Sequence, residues 1–171
     1  MKIIFSLLLF GLFHLGFSQN KTETIDWIMS KMTNSPISDD GILGYSTRFI
    51  KINYNGEFTI TERSWRKDQT PTLDDPVFVT TFTGNMKDLN PNSVILNKED
   101  GLVYIHSTCT NSKNCISQKT HKVIGSKDEY FTSSSVVFGW VLPNSEPNIT
   151  DRLKKAFIQL ITLCGGKKEA F

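Results

Sequence analysis

The chain lacks the short motifs that identify common enzyme classes. Its 171 residues contain no Gly-x-Ser-x-Gly nucleophile elbow, no phosphate-binding loop and no His-Glu-x-x-His zinc motif. It also contains no internal repeat and no low-complexity tract. We therefore expect a non-enzymatic protein built as a globular domain rather than as a repeat array.

An excess of charge of one sign is lacking too. Lys and Arg number 19 and Asp and Glu number 17, which gives a formal net charge of +2. Nucleic acids and acidic membranes select strongly basic surfaces, so we expect no nucleic-acid partner. The chain has only 3 His, and they form no cluster with Cys or carboxylates at metal-ligand spacing. We expect neither a metal nor another cofactor.

A single long apolar run is present, and it lies at the N-terminus. Lys2 is the only charged residue before position 19, and the run extends to Phe17. A basic start, an apolar stretch and a small-residue exit are typical of a cleavable signal peptide. Roughly fifteen apolar residues fall short of the about 20 that span a bilayer. We predict a signal peptide at 1–18, a single α+β domain at 19–171 without a membrane span, and export to the periplasm or the cell exterior.

One β-hairpin is strongly indicated around Asn55-Gly56, which separates two β-prone runs. A two-residue turn would place polar residues opposite apolar ones on each face. A three-residue turn with Gly56 in the left-handed conformation places Ile50 opposite Ile60 instead. We predict this second register because it collects the apolar residues on one face.

The remaining pattern predicts about seven mostly antiparallel strands between two helices, an α+β fold. The strands would form a bent sandwich or barrel with an N-terminal helix and a C-terminal capping helix. Beyond the hairpin, we predict helices at 22–32 and 148–164, strands at 77–83, 93–96, 102–109, 115–119 and 134–142, and loops at 34–43, 66–76 and 125–133.

This order of strands and a C-terminal amphipathic helix resembles the pleckstrin-homology-like (PH-like) barrel, in which the helix plugs one end. Cystatin-like and lipocalin-like folds are the alternatives. The opening Thr24-Ile25-Asp26-Trp27-Ile28 and the ending at 152–168 are similar to those of small exported proteins of Bacteroidota. Neither resemblance implies an activity, a cofactor or a site residue.

Three cysteines follow the predicted signal peptide. If the strands at 102–109 and 115–119 pair with each other, Cys109 lies opposite Cys115 at a separation that a disulfide can span. We predict that this bond forms and staples the hairpin. Cys164 lies on the apolar stripe of the last helix, where we expect a buried free thiol.

These observations favour a binding or interaction module whose partner is a protein or peptide. Its working surface would be a strand edge or the loops at 66–75 and 125–133. One alternative is a carrier of a small apolar ligand, which requires a cavity lined by Phe and Trp. Another is a hydrolase with His106 or His121 as the base, which requires a cleft that joins the histidine to a carboxylate.

Overall fold

A computed structural model shows two helices enclosing a series of β-strands. The predicted signal peptide at 1–18 and most of the predicted loop at 66–76 lie outside the described residues, which are 21–32, 35–37, 43–66, 76–99, 101–124, 127–143 and 146–167. Helix α1 covers 21–32, and helix α2 covers Ile149–Leu163. The strands are β1 Ser35–Ile37, β2 Leu43–Ile52, β3 Glu57–Arg66, β4 Phe78–Asn85, β5 Ile95–Glu99, β6 Leu102–Thr108, β7 Ile116–Ile124, β8 Lys127–Ser135 and β9 Val137–Pro143.

The strands form two sheets. One has six strands in the order β1-β2-β3-β4-β7-β8, and the other has three in the order β5-β6-β9. Every pairing is antiparallel. This confirms the predicted α+β fold with a helix at each end. Within the described chain the sheets do not close into a barrel, so a lipocalin-like closed barrel is not formed.

One continuous run, β8 followed by β9, carries the chain from the large sheet to the small one. Only Val136 lies between the two strands. The Ser135 carbonyl accepts a hydrogen bond from the Cys115 amide at 3.2 Å, and the Val136 carbonyl accepts one from the Cys109 amide at 2.7 Å. Successive carbonyls of an extended chain point to opposite edges. The run, which we call the crossover strand (127–143), therefore has β7 along one edge and β6 along the other.

A disulfide joins Cys109 to Cys115 at this crossing, with their Cα atoms 5.8 Å apart. The predicted bond is confirmed, but the predicted reason for it is wrong. Strand β6 pairs with β5 and β9, whereas β7 pairs with β4 and β8. The disulfide therefore links the two sheets and does not staple a hairpin.

Two segments that we predicted to be loops contain strands. Residues 35–37, within the predicted loop at 34–43, pair with 46–48 of β2. Residues 127–133, within the predicted loop at 125–133, belong to β8, which pairs with β7 along its whole length. The pattern was misleading because β8 is exposed on both faces at its centre, so it carries none of the apolar alternation that marks a half-buried strand.

The hairpin register is confirmed, since Ile50 pairs with Ile60. Gly56 has φ +83°, as the three-residue turn requires. A Cβ atom built at Gly56 would lie 2.6 Å from the Cys164 Sγ atom. The turn therefore packs directly against the C-terminal end of α2.

The hydrophobic core lies between the sheets, and both helices contribute to it. Helix α2 contacts β5 and the two 3-10 turns Met86–Asp88 and Pro91–Ser93. It begins after Asn148, as predicted, but Asn148 adopts a left-handed conformation and its side chain makes no capping hydrogen bond. The helical side chains buried in the core are Ile25, Ile28 and Met32 from α1 and Ile149, Leu153, Phe157, Leu160 and Ile161 from α2.

Two glycine substitutions separate backbone strain from steric conflict. Gly101 has φ +75° and open space around its position, so we expect Gly101→Ala to lower the free energy of unfolding by about 1 kcal/mol through backbone strain alone. Gly56→Ala should lower it by about a further 1–3 kcal/mol because the new methyl group meets Cys164. Urea denaturation of both variants measures the difference, and equal losses would mean that the turn and the helix do not pack tightly.

Removal of the disulfide tests its role as a link between the sheets. The cysteines are six positions apart, and so small a loop gives about 2 kcal/mol of stabilisation through the unfolded chain. We expect the double variant Cys109→Ala/Cys115→Ala to lose at least that amount, because it also removes a contact at the crossing. Denaturation of the oxidised parent under the same conditions gives the reference, and an unchanged stability would contradict this role.

Candidate functional site

The inner face of the large sheet changes from apolar to polar along its strands. Side chains of paired residues lie side by side on one face, so the register arranges them in rows across the sheet. The rows, from apolar to polar, are Ile52-Phe58-Gly84, then Ile50-Ile60-Phe82-Gln118-Ser133, then Arg48-Glu62-Thr80-Thr120-Phe131, then Ser46-Ser64-Phe78-Lys122-Glu129.

Hydrogen bonds between neighbouring strands link side chains of the polar rows. The Arg48 Nε atom donates to Glu62 Oε2 at 2.6 Å, and the Thr80 and Thr120 hydroxyls lie 3.2 Å apart. Buried polar groups are tolerated when they are paired in this way. Further bonds join Ser46 to Ser64, Ser133 to Gln118 and Lys122 to Glu129.

A cavity of about 390 Å³ lies at the boundary between the apolar and polar rows. Arg48, Phe82 and Gln118 line it from the large sheet, and His106 lines it from β6. The residues Val137–Val141 of β9 all line it as well. Because successive side chains of a strand point to opposite faces, the cavity must follow the edge of β9 rather than one of its faces.

The cavity contains one of the two histidines that we considered as a base. His106 lines it, but the described lining includes no carboxylate. The lining residue Arg48 is paired with a carboxylate, that of Glu62, and Glu62 is not among the lining residues. His121 lies on the opposite face of β7 from Gln118 and stacks on Tyr130, with ring centroids 4.5 Å apart. The structure therefore does not bring His106 and His121 together.

Exposed hydrophobic residues lie on β8 and at its junction with β9. In the described chain, β8 pairs with β7 alone. Four side chains between 130 and 137, which we call the β8 edge patch, are exposed to the extent of 58% for Tyr130, 54% for Phe131, 36% for Val136 and 39% for Val137. Neighbouring residues of a strand face opposite ways, so Tyr130 and Phe131 present an aromatic ring on each face of the edge.

A larger and more polar cavity, of about 650 Å³, lies beside the disulfide. Its lining includes Lys87, Lys113 and Lys167 as well as Cys115 and Cys164. Cys164 is free, as predicted, although it is only partly buried. Burial raises the pKa of its thiol, and the nearby Lys21 opposes this effect without reversing it. A smaller fraction of Cys164 is therefore in the reactive thiolate form than of an ordinary thiol at the same pH.

The sequence indicated 125–133 as a working surface, and the edge patch falls partly within it, but as a strand rather than the predicted loop; the sequence did not identify the cavity. The cavity is assembled from strands that are far apart in the chain, and no local pattern marks it. The edge patch had one available signal, the adjacent Tyr130 and Phe131 within an otherwise polar segment. A loop offers little reason to place two aromatic side chains in solvent, so this pair could have indicated an exposed strand.

Comparison with known proteins adds no relative. No protein-family model matches the chain, and no curated protein and no solved structure shows significant similarity to it.

The described helices include none that is both long enough and apolar enough to cross a membrane. Among the same residues, no group of three or more His, Cys, Asp and Glu side chains is arranged to hold a metal ion. The fold and its surfaces thus define a two-sheet α+β protein with an open strand edge and a cavity between its sheets.

The raised pKa of Cys164 gives a pH dependence that can be measured. Only the thiolate reacts with iodoacetamide, so we expect alkylation of the folded protein near pH 8 to be slower than alkylation in denaturant. The folded state favours the neutral thiol, so this contribution to stability is present at neutral pH and is lost as the pH rises past the ordinary thiol pKa. Cys164→Ala provides the unreactive control, and equal rates in both states would show that burial does not perturb the thiol.

Proposed function

We propose that this protein is an exported, non-enzymatic binding module whose β8 edge accepts an extended segment of a partner protein. The observation that carries the proposal is the β8 edge patch, four exposed hydrophobic side chains on and beside a strand with a free edge. An extended peptide added to such an edge gains main-chain hydrogen bonds from the strand and side-chain contacts on both of its faces.

The free edge of β8 carries few of the features that normally prevent strands from pairing with other chains. Proteins protect such edges with proline, bulges, short strands or charged side chains, Lys above all. The charges of β8 are confined to 127–129, and 130–135 contains neither a charge nor a proline. The pairing with β7 continues without a register shift over the whole of β8. The segment from Tyr130 to Ser135 is therefore open to a partner strand.

Two of the other outer strands, β1 and β5, are less suitable. Strand β5 is in contact with α2, and three of its five residues are Asn97, Lys98 and Glu99. Strand β1 has only three residues and lies beside β9. Strand β8 is nine residues long, which is enough to pair with a segment of ordinary strand length. These differences favour β8 as the binding edge.

Two features support export. The N-terminal segment at 1–18 has the pattern of a signal peptide. The Cys109–Cys115 disulfide is of a kind that persists in oxidising compartments and is rare in the cytosol. Both features are expected of a protein that acts in the periplasm or outside the cell.

Peptide selection on the chain 19–171 tests the binding edge. We expect random peptides of about ten residues, displayed on phage, to yield binders that protect amides of 127–135 from hydrogen exchange. Phe131→Lys should weaken these binders about tenfold or more, because it removes an aromatic contact and adds an edge charge. The matched control is Ile95→Lys on β5, since Ile95 is 54% exposed, as is Phe131.

Three results would contradict the proposal. One is a selection that yields no binder. Another is a set of binders that protect amides elsewhere in the protein and leave β8 unchanged. The third is an equal loss of affinity in Phe131→Lys and Ile95→Lys, because the effect would then come from added charge and not from the β8 edge.

A further inference from the structure

We infer that the cavity between the sheets binds a small, uncharged, amphipathic molecule with a hydrogen-bond acceptor at one end. This inference does not require that β8 binds a partner strand, although Ser135 and Val137 lie next to both surfaces. A volume of about 390 Å³ lies within the range of about 300–1,000 Å³ that is typical of small-molecule sites.

The apolar part of the wall would receive a ring or a short hydrocarbon body. Phe82 lines the cavity from the large sheet, and Phe138 and Trp140 line it from β9. Phe138 and Trp140 are almost completely buried, so the apolar surface that is open to a ligand comes mainly from Phe82, Val137 and Val141. Small-molecule sites are mostly apolar and aromatic and carry a few polar groups that fix the orientation of the ligand. This cavity has that composition.

The polar part of the wall provides hydrogen-bond donors without net charge. Arg48 has five N–H donors, and its bond to Glu62 uses the one on Nε. Within the described chain, its terminal nitrogens bond no other residue. The Glu62 carboxylate already neutralises the guanidinium, so an anionic ligand would have to compete for Arg48 while giving up its own hydration. A neutral carbonyl or hydroxyl group faces no such competition.

The remaining polar residues fit the same ligand. The Gln118 side chain accepts a hydrogen bond from Ser133 and contacts Thr120, so its amide is already engaged and forms a fixed wall. Trp140 also has a buried Nε1 atom without a hydrogen-bond partner among the described residues, but this atom is closed to solvent, so the donors that face a ligand are those of Arg48.

A pair of fluorescent probes tests both the site and its charge preference. The neutral probe 1-aminoanthracene should bind to the chain 19–171 saturably and quench the emission of Trp140 by energy transfer. The anionic probe 8-anilinonaphthalene-1-sulfonate should bind about tenfold more weakly or worse. Trp140→Phe should reduce this energy transfer by removing the tryptophan of the cavity wall while leaving the other two tryptophans in place.

Substitution of Glu62 provides the decisive comparison. Glu62→Gln leaves Arg48 without its counter-charge, so we expect the preference to shift about tenfold or more toward the anionic probe. Glu129→Gln is the matched control, because Glu129 also pairs with a cation on the inner face but does not line the cavity or bond to its wall. The inference is overturned if 1-aminoanthracene does not bind saturably, if the parent prefers the anionic probe, or if Glu62→Gln and Glu129→Gln give the same preference.

Discussion

The structure depends on the hydrogen bonds that attach both sheets to the crossover strand at the point where it passes from one sheet to the other. Amides of Cys109 and Cys115 donate to consecutive carbonyls, those of Val136 and Ser135, from opposite edges of the crossover strand. The disulfide then joins the two donors. The arrangement fixes where β6 and β7 stand relative to each other, although the two strands belong to different sheets and never pair.

This attachment has consequences for the surfaces on both sides of it. On one side of the crossing lies the open edge of β8, where Tyr130 and Phe131 are exposed on opposite faces. On the other side, the edge of β9 borders the cavity, where the polar rows of the large sheet meet the core. Both candidate surfaces thus lie along this one strand, on either side of the crossing.

Local chemistry was sufficient to predict some of these features from the sequence. The pairing of Ile50 with Ile60 followed from the need to gather apolar residues on one face, and Gly56 marked the turn that this register requires. Amphipathic spacing located both helices. The disulfide between Cys109 and Cys115 was predicted correctly from an incorrect hairpin. The two cysteines lie next to each other because both bond to the crossover strand, and not because their own strands pair.

Features that depend on distant parts of the chain could not be predicted in this way. Strand β8 lacks alternation because neither of its faces is covered at its centre, and only its pairing with β7 makes it a strand. The cavity requires Arg48, His106 and Trp140 to converge from three strands, and nothing near any of them in the sequence indicates the other two. A sequence pattern describes the neighbours of a residue along the chain. These surfaces are formed by contacts between residues that are far apart in the chain.

The single residue between β8 and β9 also has a mechanical consequence. Tension applied along the crossover strand passes through Val136 without a flexible connection that could absorb it. The hydrogen bonds on either edge of the strand are then loaded in shear together and do not open one at a time, as they would if the strand were peeled from its end. The covalent link between Cys109 and Cys115 keeps β6 and β7 in place on both sides under this load. A force on the open edge of the large sheet is thereby shared with the small sheet.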